Sequence, residues 1–254
     1  MSDMTKTYKL FKIHKNQSTL NITFMKKIFT LLSIAALASA GASAADFLSI
    51  KVDGTEVKNG DVVISNKLEV VEFEGIVLNW ELKPDFTIES KEGASYWLTI
   101  TNAGETPFSY CGVSGASTNT MMCQTLSAGQ SWTDEGDLDA SKAYKITYDY
   151  QHLDLTNIPE SLECKGHFKV EAEADSGEQA LEFDVNLVYP AEGGSVDGIA
   201  DEGITLIVGN GRVAASNDTP VEVWTLDGAR VANEGLNGVY VVRAGGKVVK
   251  IAVK

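Results

Sequence analysis

Residues 203–254 read GITLIVGNGRVAASNDTPVEVWTLDGARVANEGLNGVYVVRAGGKVVKIAVK. Three alternating apolar runs stand out in this stretch: Val221–Leu226, Val239–Val242 and Val248–Val253. They are set off by Asp227-Gly228, Asn237-Gly238 and Gly245-Gly246. Alternation with β-branched residues marks half-buried strands. Asp-Gly, Asn-Gly and Gly-Gly supply the positive φ angles of tight hairpins. The chain therefore ends in a compact antiparallel β unit, too small for a large core of its own.

The same rhythm runs back through the chain. Phe47–Val52, Val62–Ser65, Leu68–Phe73, Ile76–Trp80 and Phe86–Ile88 read as short strands broken by turn residues. Tyr96–Thr101, Phe108–Cys111, Ala143–Tyr150, Gly166–Ala174 and Ala180–Tyr189 continue the series. Asn157–Glu163 could form one helical turn, and no longer helical period follows the leader. Many short strands at close spacing point to an all-β chain, with an immunoglobulin-like β-sandwich ahead of the terminal unit. Trp97 is the expected core anchor of the Tyr96–Thr101 strand.

The N-terminus reads as a targeting segment. Met25-Lys26-Lys27 is a basic start, Ile28–Ala38 is apolar, and Ala42-Ser43-Ala44 suits a small-residue cleavage site. Cleavage is expected between Ala44 and Ala45. The apolar run is too short for a membrane span, and no second run of that length follows. Met25 is the preferred initiator, with a signal of unusually long basic region as the alternative. The expected organisation is residues 1–44 as upstream extension and signal peptide, and 45–189 as sandwich. Residues 190–202 form a linker (PAEGGSVDGIADE) and 203–254 the terminal unit.

The formal charge of the chain is -14. The leader carries Lys6, Lys9, Lys12, Lys15, Lys26 and Lys27 against Asp3, so the remainder is at -19. That balance argues against a nucleic-acid partner, which needs a basic patch. Export through an oxidising compartment permits a disulfide. Cys111 and Cys123 flank the loop GVSGASTNTMM and are the first choice; Cys123 with Cys164 is the rival pairing. Closing such a loop gains about 3 kcal/mol in the chain-entropy account.

Chemistry-bearing motifs are few. Gly209-Asn210-Gly211 follows an apolar run and imitates a phosphate-binding glycine loop, but no helix pattern succeeds it, so a hairpin turn is expected. Asp134, Glu135, Asp137 and Asp139 lack the alternate spacing of a calcium loop, and a solvated acidic turn is the favoured reading. Cys164 and His167 lie three apart, so on one strand they face opposite sides. His152 beside Asp154 completes the short set of groups for nucleophilic chemistry. Zinc spacing is absent. No catalytic, metal or cofactor set is expected. Tyr144, Tyr148 and Tyr150 share one strand face and, with Trp132, are the candidates for stacking on a sugar; sheet stabilisation or core packing is the favoured reading of such a row.

The terminal unit also resembles a known family. VEVWTLDGARV followed by LNGVYVVRAGGKVVKIAVK is similar to the C-terminal sorting domain (Por secretion tail) of type IX secretion cargo in Bacteroidota. The matched positions are Leu226, Gly228, Arg230, Val231, Gly238, Val239 and Tyr240, with Lys247–Lys254 as the basic last strand. The loop Ala232–Asn237 is shorter than the family's pattern. The middle is similar, through LTITN, SYCGVSGASTNTMMCQTLSAGQSW and FDVNLVY, to small sandwich domains that precede such tails. The resemblance implies export through the periplasm, recognition by outer-membrane secretion machinery, and release or surface attachment. It implies no chemistry. A non-catalytic binding or structural role, with a glycan or protein ligand, is the favoured expectation; a carbohydrate-binding module and a hydrolase are the alternatives.

Overall fold

The computed structural model describes residues 46–74, 76–118, 123–152, 159, 161–189 and 203–253. The expected signal peptide with its Ala44/Ala45 cleavage site and the 190–202 linker lie outside the described residues. Of the expected Asn157–Glu163 helical turn, residues 157, 158 and 160 lie outside them too, while Leu162 and Glu163 belong to a strand.

The first strands are β1 (Leu48–Val52), β2 (Thr55–Val57), β3 (Val62–Ser65), β4 (Leu68–Phe73), β5 (Ile76–Leu82), β6 (Phe86–Ser90) and β7 (Ala94–Asn102). Next come β8 (Phe108–Val113), β9 (Gln124–Leu126), β10 (Ser131–Leu138), β11 (Ala143–His152), β12 (Leu162–Ala174) and β13 (Gly177–Tyr189). The C-terminal part adds β14 (Thr205–Gly209), β15 (Arg212–Ala215), β16 (Val221–Trp224), β17 (Arg230–Val231), β18 (Gly238–Ala244) and β19 (Lys247–Val253). A short 3-10 turn, Ser216–Asp218, joins β15 to β16.

Two large sheets form the sandwich. One runs β10-β7-β12-β13-β3-β14-β15. The other runs β2-β1-β6-β11-β5-β4, with β8 on β11 and β9 on β8. In that second sheet β5 and β6 behave as one interrupted strand. Tyr144 pairs with Ile88 and Tyr150 with Leu82, so the register on β11 is unbroken across the gap. Pro84 sits in that gap; it has no N–H to give to a ladder, which is why the strand divides there.

Strict alternation builds the main core. Along β12, Cys164, Gly166, Phe168, Val170 and Ala172 turn inward, and Leu181, Phe183, Val185 and Leu187 do so along β13. Phe168 stacks between Phe86 (5.5 Å) and Phe183 (4.9 Å), and Tyr148 meets Phe108 at 4.7 Å. Each fully buried ring contributes about 1.5–3 kcal/mol of apolar transfer. Trp97 does not join them. Tyr96, Leu98 and Ile100 occupy the inward positions of β7, so the two-residue period turns Trp97 outward, 37% exposed. The core indole is Trp80, packed on Tyr189 at 4.9 Å.

The apolar run Ile204–Val208 is buried at every position. A strand covered on both faces loses polar alternation, and β14 is covered on both. Ile207, with Val63 of β3, belongs to the main core. Leu206 and Val208 face the other way, into a second cluster with Val213, Ala215, Val223, Leu236, Val242, Ala244, Ile251 and Val253. The last four strands, in the order β17-β16-β18-β19, supply the lid of that second core. Residues 203–215 thus extend the seven-stranded sheet while their reverse face seats the terminal sheet. Gly203 permits the junction: a Cβ there would lie 2.2 Å from the Cα of Lys67.

Candidate functional site

The residues that carry the terminal resemblance fall on the four-stranded sheet and its turns. The link from β16 to β17 is a tight turn built on Thr225. Its N–H donates to Ala229 O (2.9 Å), Gly228 N–H donates to Thr225 O (3.0 Å), and Ala229 N–H donates to Thr225 Oγ1 (3.1 Å). Thr225 Oγ1 also donates to Asp227, which with the turn's N–H groups holds that carboxyl below its usual range. Gly228 sits at φ 88°, a left-handed conformation that side chains rarely adopt. Leu226, at the crest of the turn, is 61% exposed.

The outer face of this sheet carries charge around one indole. Trp224 pairs with Arg230, and Glu222 pairs with Arg243. Glu222 is held from two sides, by Arg230 at 3.1 Å and by Arg243, whose Nε donates at 2.7 Å. The Arg243 guanidinium lies 5.2 Å from the Trp224 ring centroid. A cation over an indole face adds an attraction that helps hold both groups in place at the surface. Val239 is exposed on the same face. Tyr240 and Val231 lie on the inner face, packed against the second core. The Tyr240 hydroxyl donates to Asn237 O at 3.2 Å and accepts from Asn237 N–H, fixing the entry to β18, where Gly238 stands at φ 127°. Gly228, Gly238, Tyr240 and Val231 therefore shape the unit, while Leu226, Arg230 and Val239 are presented on it.

The other motifs take structural roles. Asn210 (φ 50°) and Gly211 (φ 68°) turn the β14–β15 hairpin, with Gly209 opposite Arg212. Two positive φ angles in sequence define a type I′ turn, so the glycine loop is a hairpin turn. Cys111 and Cys123 are joined, with S–S 2.02 Å. Cys164 is a free, buried thiol in the core, and burial pushes its pKa up to about 12, which keeps it protonated at neutral pH. His167 points to the opposite face and pairs with Asp184 at 2.8 Å. Of the sugar-platform candidates Tyr144 and Tyr148 are buried, while Tyr150 and Trp132 are partly buried against the core, and Trp132 meets Tyr110 at 5.0 Å.

The acidic run is a correction. Asp134, Glu135 and Asp137 lie on strand β10 and not in a turn, so Asp134 turns inward while Glu135 and Asp137 face solvent; Asp139 follows the strand and is exposed. Asp134 is fully buried. It accepts hydrogen bonds from Tyr96 Oη (2.8 Å), Val113 N–H (2.9 Å) and the Ser117 hydroxyl. A buried carboxylate is tolerable when several donors satisfy it. This one anchors the start of the disulfide loop. Gly112 makes room for it, since a Cβ there would lie 2.8 Å from the Asp134 carboxyl carbon.

A second buried carboxylate escapes sequence reasoning altogether. Asp149 on β11 is 1% exposed, and its Oδ1 has no hydrogen-bond partner among the described residues. Burial, then the neighbouring Glu81, push its pKa to about 6, with Lys83 opposing. Glu81 accepts from Asn79 Nδ2 and pairs with Lys83, both at 3.2 Å. The run TYDYQH shows only an alternating strand; the signal would have been that Asp149 lies beside Glu81, the register partner of Gln151, through a pairing no local pattern reveals. Among the described residues no group of three or more His, Cys, Asp or Glu could hold a metal ion, and no helix is long and apolar enough to cross a membrane.

Neither the protein-family models nor the curated proteins contain a match to this chain.

Proposed function

We propose that this chain is a secreted or cell-surface β-sandwich protein whose terminal sheet is its export address. The observation that supports the reading most is a division of labour in that sheet. Leu226, Arg230 and Val239 face outward, and the glycines and Tyr240 behind them fix their backbone. A folded surface read by secretion machinery needs that combination of rigid frame and presented side chains. The sandwich acts as a non-catalytic binding or structural module. Burial of Tyr144 and Tyr148 and partial burial of Tyr150 and Trp132 weigh against a sugar platform on that strand face, and the module's ligand is a protein or a glycan.

Grafting tests the address. Residues 203–254, joined behind a signal peptide and a periplasmic reporter in a bacterium with type IX secretion, should carry the reporter to the surface or medium. The same graft with Arg230→Glu and Leu226→Asp should leave it in the periplasm. A reporter that stays periplasmic with the native tail contradicts the proposal.

A further inference from the structure

Two sheet edges in this molecule are open, and they match each other. β4 ends the eight-stranded sheet and β19 ends the four-stranded one; neither has a strand on its outer side among the described residues. Open edges offer unpaired backbone groups to another chain. β4 belongs to an unusually apolar hairpin: Val70, Phe73, Ile76, Val77 and Leu78 are all exposed, Phe73 and Ile76 by more than 60%. Residues 68–82 include Glu69, Glu72, Glu74 and Glu81 and no basic residue. Residues 238–253 include Arg243, Lys247 and Lys250 and no acidic residue.

The sequences of the two edges are complementary in register. β4 begins Leu-Glu-Val-Val-Glu, and β19 begins Lys-Val-Val-Lys-Ile. Laid antiparallel, Leu68 meets Ile251, Glu69 meets Lys250, Val70 meets Val249, Val71 meets Val248 and Glu72 meets Lys247. Every apolar residue faces an apolar one and every acid a base. The faces agree as well. Leu68 packs on the main core and Val249 and Ile251 on the second core, while Val248 and Lys250 point outward. Opposite charges directly across an antiparallel pair favour it, and like charges disfavour it.

We propose that copies of this chain associate head to tail, the β19 edge of one adding as a strand to the β4 edge of the next. The two surfaces differ, so the contact is heterologous and propagates into chains or closes into rings. Such association does not depend on the export reading.

Sedimentation of the purified chain over a range of concentrations tests it. The native chain should show concentration-dependent association that weakens as salt screens the charges. Glu69→Lys and Lys250→Glu should each weaken association about tenfold. The chain carrying both changes again sets opposite charges across that pair, with their signs exchanged, and should return to the native level. A chain that stays monomeric at every concentration, association indifferent to either reversal, or a double variant no better than the singles would overturn the proposal.

Discussion

The Thr205 hydroxyl donates to Asp53 Oδ2 at 2.5 Å, across most of the length of the chain. Asp53 also receives Asp85 N–H at 3.0 Å and pairs with Lys67 at 2.6 Å. Thr205 and Ser65 share a further hydrogen bond at 2.8 Å, so the first residue of β14 is tied to the β1–β2 turn and to β3. Thr205→Val keeps the shape, removes the hydroxyl and leaves a buried carboxylate oxygen without its donor. The expected cost is about 1–3 kcal/mol. Urea unfolding measures it; an unchanged midpoint would show that the junction is not held by this bond.

Asp149 makes stability depend on pH. Its pKa is about 6 in the folded chain, against about 3.9 when unfolded. Between those values the native state holds a proton that the unfolded state releases. Stability contributed by this group is therefore present below about pH 4, falls as pH rises to about 6, and is level above. Asp149→Asn should flatten that segment, gaining about 2 kcal/mol at pH 7 relative to pH 4 when compared with the parent. Denaturation at the two pH values reads the difference. Parallel pH profiles for parent and variant would contradict it.

Asp134→Ala removes the acceptor shared by Tyr96, Val113 and Ser117. Orphaned buried donors cost about 1–3 kcal/mol each before relaxation or water entry, so a loss of about 2–4 kcal/mol is expected. Faster amide exchange should follow from Cys111 to Ser117. Unchanged exchange there would show that the loop holds itself.

Opening the Cys111–Cys123 bond with a double Ser substitution should lower stability by about 3 kcal/mol, since the bond restrains the unfolded chain. A change in midpoint with the denaturant slope also altered would locate part of the effect in the unfolded state. Calorimetry of oxidised and reduced protein checks the same quantity, and equal melting temperatures would contradict it.

The strand rhythm was legible because alternation and turn glycines are local. Leu68–Phe73, Val62–Ser65 and the hairpin at Asn210-Gly211 fall where the pattern puts them. What failed was direction. Alternation says that Tyr96 and Trp97 face opposite ways but does not say which faces the core, and the smaller ring of Tyr96 is the one buried. The Tyr144, Tyr148 and Tyr150 face raised the same ambiguity, resolved toward the core. The continuous run from Ile204 was itself a sign of burial on both faces, yet it could not name the covering layers. Asp53–Thr205 and Glu81–Asp149 are products of topology, and no local spacing announces them.

The central claim is that residues 221–254 hold the address while residues 203–215 belong also to the sandwich sheet. Its most direct test is the surface fraction, by protease accessibility on whole cells, of the full chain against one ending at Pro220. In a bacterium with type IX secretion the full chain should be accessible and the shortened chain should remain in the periplasm. Equal surface exposure of the two would contradict the account.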